Sequence, residues 1–426
     1  MDRYFKILIL ILLIYSIIIA FLGISYDTYY TIKYGGIDLR NRVVGTRNLL
    51  VGNDPYYTKW EDETPDYYVD GRDYFYGLPA SRCTVPPTIL VLHAPFAGIF
   101  YKTQQYLWMA LQEIMLILSI IILAKAASER YKIILIIGFM FFLGSYFWRF
   151  HVANGQIYIL FVFAISLAYF IARSALKNRD FWVGFILGLT SSWRPPMMLM
   201  GLPILIYKKW KILIGGIAGM IIGILSSFLV SGISTWSNYF SAMKIHGLFH
   251  VGLLDFKLGV HDNFNNTEGI RNTFFSADVP GMDSSIQGML FKFFEFVLEA
   301  KFLWLGLAFL ILLLGFTIWR KRNIAVPIEM IFFRGTVLVL LSEFFLPAAR
   351  ISYNNVIWLI PISMLIIMSK DMMKLLNIQL IFLLIGLAAN YLYNFFPHSI
   401  LIADYSILIY LLLMWFSMFR MEFPKE

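Results

Sequence analysis

The chain has 426 residues, of which 59% are hydrophobic, 18% aromatic and only 14% charged, and its mean hydropathy is +0.71. Soluble domains carry roughly 25% charged residues, so a soluble, disordered or fibrous chain is excluded and an all-α polytopic membrane protein remains. The apolar stretches run on without period-two alternation, against an outer-membrane barrel. The net charge of +9 lies mostly in short loops between apolar stretches, which speaks for membrane topology and against nucleic acid as a partner.

The first apolar stretch, residues 5–24, has Lys6 near its start, ahead of about 18 apolar residues, and lacks a small-residue cleavage site, so it is expected as a retained span. Further stretches lie near 104–124, 132–148, 156–172, 181–193, 196–207, 212–231, 302–319, 324–346, 356–369, 375–392 and 400–419. Together they predict about 12 transmembrane helices in a single integral membrane domain covering 1–426, with the short pair around 181–207 also compatible with a re-entrant hairpin. Alternation puts the basic groups Lys125/Arg130/Lys132, Arg173/Lys177/Arg179, Lys208/Lys209/Lys211, Arg320/Lys321/Arg322 and Lys370/Lys374 on one side, together with both termini. The positive-inside rule makes that side cytoplasmic. Two long segments, 25–103 and 232–300, fall on the opposite face and hold most of the acidic residues. Their aromatic content argues against disorder, and segments of this length usually carry function.

Within the first outer segment, residues 36–51 predict a helix with Asp38, Asn41, Arg42, Gly45 and Asn48 on one face and Leu39, Val43, Val44 and Leu50 on the other. Such a helix suits the membrane interface, with its polar face toward water. Asp38 and Arg42 stand one turn apart, a spacing that fits a simple i,i+4 pair as well as a site. Gly52 and Pro55 end the helix. The stretch 61–73 is acidic enough for a divalent cation but lacks fixed ligand spacing, so no cofactor is assigned. Residues 83–101 predict a second, short interfacial helix opened by Pro86-Pro87 and broken near Pro95.

Motifs in chain order then carry a resemblance. These are Asp38-Leu39, Gly52-Asn53-Asp54-Pro55-Tyr56, Val85-Pro86-Pro87 through Pro95, a span bearing Trp108, Gly155-Gln156-Ile157-Tyr158, Gly188 through Arg194-Pro195, and Ser352-Tyr353-Asn354-Asn355. Their order resembles the GT-C fold of polyprenyl-phosphate-sugar-dependent glycosyltransferases, most closely glycosyltransferase family 87, the mannosyl- and arabinosyltransferase-like group. The sequence departs from that pattern at Tyr158, where Asn is common, at Arg194, where Lys is common, and at Asn354-Asn355, where a His pair is usual.

The resemblance implies an inverting transfer of a hexose or pentose such as mannose. The sugar would pass from a polyprenyl phosphate to a lipid-linked or glycan hydroxyl on the extracytoplasmic face, with membrane lipids as surroundings. It makes Asp38 the expected catalytic base. Asp54 is the alternative, though its place in a turn fits an Asx-turn equally well. Arg194, Arg149 and Arg350 are candidates for the donor phosphate, and Arg194 at a Pro-Pro break between apolar stretches is also readable as an ion-paired arginine. Arg42, Asp54, Tyr56, Gln156, Asn354 and Asn355 are candidate substrate contacts, with Gln156 alternatively capping the next span. Glu113 and Arg334, both mid-span, are expected to pair with each other. A transporter or flippase and a glycan polymerase are the rival classes.

Overall fold

The structure, a computed structural model, describes residues 3–34, 36–57, 83–250, 283–294, 296–347, 350–369, 376–389 and 399–419. The acidic stretch 61–73, the Asn265-Asn266-Thr267 sequon, and Asp255, His261 and Asp262 lie outside the described residues.

Among the described residues the regular structure is helical, with no strand. In chain order come α1 (Arg3–Tyr34), α2 (Ile37–Leu50), α3 (Pro87–His93), α4 (Tyr101–Ala126), α5 (Glu129–Leu143), α6 (Tyr146–Asn154), α7 (Tyr158–Ala172) and α8 (Arg179–Trp193). Then follow α9 (Gly201–Ile206), α10 (Trp210–His250), α11 (Ile286–Phe294), α12 (Ala300–Arg320), α13 (Ile328–Phe345), α14 (Leu359–Met368), α15 (Leu376–Ala389) and α16 (Ser399–Phe419). Five of these, α1, α4, α10, α12 and α16, are long and apolar enough to cross a bilayer, and α5 with α6 forms a pair bent by 57°. Leu10, Ile11 and Phe21 of α1 and Leu305, Phe309 and Leu312 of α12 are exposed. Rows of bare large apolar side chains belong to an integral membrane protein, whose solvent is hydrocarbon.

At the centre α13 is buried from Glu329 to Phe344. Ionisable groups enclosed this way must be answered. Glu329 Oε1 meets Arg173 Nη1 at 2.6 Å and accepts the Tyr169 hydroxyl at 2.7 Å. Glu343 Oε1 meets Arg194 Nη2 at 2.6 Å. Arg334 donates to the Tyr207 hydroxyl and lies over the Trp415 ring. The expected Glu113–Arg334 pair is therefore not formed. Glu113 lies on α4, which packs against α7 and α5, whereas Arg334 lies on α13 among α9 and α16. Glu113 instead accepts the Trp148 indole N–H at 3.2 Å.

Small residues set the closest helix contact. A Cβ on Gly184 would overlap the Ile212 carbonyl, one on Gly188 the Gly216 carbonyl, one on Gly215 the Phe181 carbonyl and one on Gly219 the Phe185 carbonyl. Glycines spaced by four on both α8 and α10 thus bring the two backbones together, as small-xxx-small faces do in membranes. Gly188→Ala gains helix propensity but must force the seam apart. It is expected to cost about 1–3 kcal/mol net, the usual range for overpacking, read as a lower thermal midpoint in detergent. A midpoint at the wild-type value would refute the close approach.

Two sequence expectations change. The second outer segment does not begin as a loop: α10 continues past Gly232, whose φ of 73° and ψ of 170° break the helix line, and runs to His250. The missed signal is Trp236, Tyr239, Phe240 and Met243 at i, i+3, i+4 and i+7, one helical face. In addition, α2 does not lie open to water: Leu39 through Leu49 are all buried. The predicted end holds, with Gly52 in the left-handed region at φ 82° just past the helix.

Candidate active site

The corner between α6 and α7 positions α2. Gly155 ends α6 in the left-handed conformation, φ 65°, which suits glycine. It also leaves room that a Cβ would take from Leu39 of α2. The Gly155 carbonyl accepts from Arg42 Nη2, and the next side chain, Gln156, donates from Nε2 to Asp38 Oδ2. Trp108 Nε1 donates to the Gln156 carbonyl at 3.1 Å. At the start of α2 the Gly36 N–H donates to the Ala153 carbonyl at 2.8 Å, and the Tyr101 hydroxyl donates to the Gly36 carbonyl at 2.7 Å. The Gly-Gln pair noted in the sequence is thus a fastener for the polar face of α2.

That face opens into a cavity of about 700 Å³. Asp38, Asn41 and Arg42 line it from α2, Gln156, Tyr158 and Phe161 from the α6–α7 corner, and Trp193 to Pro196 from the end of α8. Tyr239, Phe240, Met243 and Lys244 of α10, Ala300 and Trp304 of α12, and Tyr353 complete much of the remaining wall. Arg194 is extended, φ −146° and ψ 101°, between α8 and a 3₁₀ turn opened by Pro195-Pro196. Its Nη1 donates to the Tyr158 hydroxyl at 2.8 Å, its Nη2 holds Glu343, and its guanidinium lies 4.4 Å from the Tyr158 ring centre. Tyr158 and Tyr353 bring their ring centres to 5.6 Å.

Electrostatics single out Asp38. Burial pushes its carboxyl up to about 6, while the Arg42 charge and the Gln156 hydrogen bond limit the rise. Burial also brings the Arg42 guanidinium down to about 10, so it stays charged at neutral pH. His93, driven down to about 3 by burial and by the Arg42 charge, is neutral and accepts from Arg42 Nε at 3.3 Å. Burial holds the Tyr353 hydroxyl well above its usual range, with the Asp38 charge adding to the rise.

The structure brings together Asp38, Arg42, Gln156 and Arg194 from the sequence candidates, and places the others elsewhere. Arg149 lies over the Tyr26 ring at 4.9 Å, against α1. Arg350 is enclosed with Asp404, Ser284 and Asn355. Asn354 is buried beside that cluster without lining the cavity. Asp54 Oδ1 accepts the N–H groups of Tyr56 at 2.7 Å and Tyr57 at 3.1 Å, and Oδ2 accepts the Asn238 amide, the Asx-turn arrangement. Tyr56 donates to the Val85 carbonyl at 2.9 Å and packs on Tyr239. His151 is a buried structural residue that accepts the Ile159 N–H at 3.2 Å. Sequence reading missed Tyr158 and Glu343 as partners of Arg194, and Tyr353 as the ring packed on Tyr158, because contacts across 36 and 149 positions leave no local pattern.

Comparison with curated proteins and with solved structures returns no match. A family model does match: glycosyltransferase family 87, over residues 84–342. That range holds the Gly155-Gln156 corner, the Arg194 break, the glycine seam and most of α13. By this match the chain belongs to glycosyltransferase family 87 and is a sugar-transferring enzyme of the membrane.

Proposed function

We propose that the enzyme transfers a sugar from a polyprenyl phosphate to an acceptor hydroxyl, inverting the anomeric carbon, with Asp38 as general base. One observation carries this reading: a half-buried carboxylate and an arginine, Asp38 and Arg194, share the wall of one cavity large enough for a sugar. The acceptor oxygen attacks the anomeric carbon as its proton passes to the Asp38 carboxylate. The bond from that carbon to the phosphate oxygen breaks, and the phosphate leaves with the electron pair toward cationic groups. Gln156 aims the carboxylate, and the rings of Tyr158, Tyr353 and Trp193 offer faces for the sugar. Arg194 keeps its buried Nε without a protein partner among the described residues, leaving a donor for the leaving oxygen.

The GT-C arrangement of about 12 spans belongs to the same proposal. Each of the twelve apolar stretches is occupied by a helix or a broken helix pair, and the basic loops between them favour cytoplasmic termini. The cavity, at the α2 end, then faces outward. The acceptor, a lipid-linked sugar or glycan, enters from that side.

Gln156→Leu removes the hydrogen bond that restrains the Asp38 carboxyl. The acid limb of the rate profile is expected to move above about 6, and an unmoved limb would count against the pairing. The reaction class is checked by incubating purified protein with a panel of polyprenyl phosphate sugars and an acceptor extract. Release of polyprenyl phosphate is expected with at least one donor. Turnover of nucleotide sugars alone would overturn the donor class.

A further inference from the structure

Among the described residues three cations line the cavity, and they are not equivalent. Arg42 is spent on the Gly155 carbonyl and on His93, and its charge faces Asp38. Arg194 is neutralised by Glu343 at 2.6 Å. Lys244 is exposed at the wall and has no hydrogen-bond or ion-pair partner among the described residues. Among the described residues, setting Arg42 against Asp38 and Arg194 against Glu343 leaves Lys244 as the cavity-wall cation with no acidic partner.

Its place is fixed by the fold. Gly232 turns the second limb of α10. Asn238 of that limb bonds Asp54, and Tyr239 packs on Tyr56 at 5.5 Å between ring centres. The limb is thereby held against the α2–α3 region. The wall that Lys244 shares is apolar in part: Phe240, 62% exposed, and Met243 precede it on α10, and Ala300 and Trp304, the latter 46% exposed, line the same cavity. A free nucleotide would meet grease where it needs polar partners, whereas a prenyl chain gains by lying there.

Resting on the donor class read above, a singly charged prenyl phosphodiester, we infer that Lys244 holds the donor phosphate and that the prenyl chain leaves the cavity past Phe240, Met243 and Trp304. One unmatched ammonium balances the single charge of such a diester. Arg194 then serves the sugar side of the phosphate, and Lys244 the lipid side.

The test is binding of polyprenyl phosphate, and of the matching polyprenol, to the full chain purified in detergent. Lys244→Met is expected to weaken polyprenyl phosphate by about tenfold or more, the usual loss of a charged hydrogen bond, and to leave polyprenol binding unchanged. Lys244→Arg is expected to restore the phosphate-dependent difference. Wild-type affinity in Lys244→Met overturns the assignment while leaving the donor class standing. A wild-type protein that binds polyprenyl phosphate no better than polyprenol overturns the donor class itself. Equal loss of both ligands in Lys244→Met would mark a damaged wall and also overturn the assignment.

Discussion

Asp38→Asn is expected to lower turnover about 10²–10⁴-fold, the span usual for removing a positioned general base, with donor binding retained. The substitution keeps shape and removes only the charge and the basicity. In wild type the carboxyl rests near 6 against an ordinary 3.8, raised chiefly by burial. In the proposed mechanism the ionised form is the base, so the rate is expected to fall about tenfold per pH unit below about 6 and to be flat above it with respect to this group. Stability runs the other way. A raised carboxyl binds its proton more tightly in the folded state than in the unfolded one. The folded state therefore loses stability as pH rises from about 4 to about 6, and the deficit is fully present above that window. Asp38→Asn removes that deficit, so its thermal midpoint at neutral pH is expected to equal or exceed the wild-type value. A variant that is both inactive and less stable would point to a structural role for Asp38 and remove it as the base.

Arg350→Met carries the largest expected loss of stability. Arg350 and Asp404 have no side-chain exposure and pair directly. Arg350 Nη1 donates to Ser284 Oγ at 2.7 Å and Nη2 to Asn355 Oδ1 at 2.6 Å, while Asn355 Nδ2 donates to Asp404 Oδ1 at 2.6 Å. The Phe344 ring covers the guanidinium at 4.1 Å. Truncating the arginine leaves a buried carboxylate alone, a loss of about 3–5 kcal/mol, enough to abolish recovery of folded protein from detergent extracts. Adding Asp404→Leu removes the stranded charge and is expected to recover part of the loss. Failure of the double variant to exceed the single one in thermal midpoint would refute the charge-burial account. The cluster ties Ser284, Arg350 and Asn355 to α16, and Tyr353 hangs from that tie at the cavity wall. Arg350 thus stands outside the cavity lining, among Asp404, Ser284 and Asn355, although its sequence neighbourhood suggested direct contact with the phosphate.

The elements were legible where apolar length or turn chemistry speaks locally. α1, α4, α12 and α16 follow from long uninterrupted apolar stretches. The end of α2 follows from Gly52, and the start of α3 from Pro86-Pro87. The polar face of α2 was also legible, since Asp38 and Arg42 are one turn apart. Its surroundings were not, because helical periodicity reports that two faces differ and not what covers each. The partners of Arg194 and Arg334 were hidden for a related reason. A mid-span charge announces a need for a partner, but α13 meets that need through residues scattered from Arg173 to Arg194 and Tyr207. Lys244 was hidden by the reading of residues after Gly232 as loop, which discarded the aromatic face beside it.

The glycine seam has a consequence for the width of the substrate chamber. Arg194 stands one residue beyond α8, and Lys244 rides on the limb that continues α10. Two rods in backbone contact slide little against each other, so the points from which both groups set out, the end of α8 and the Gly232 turn of α10, are gauged in the apolar depths, at Gly184, Gly188, Gly215 and Gly219. A bulky side chain inserted there would act as a wedge, spreading two anion-seeking groups from a point that no ligand ever touches.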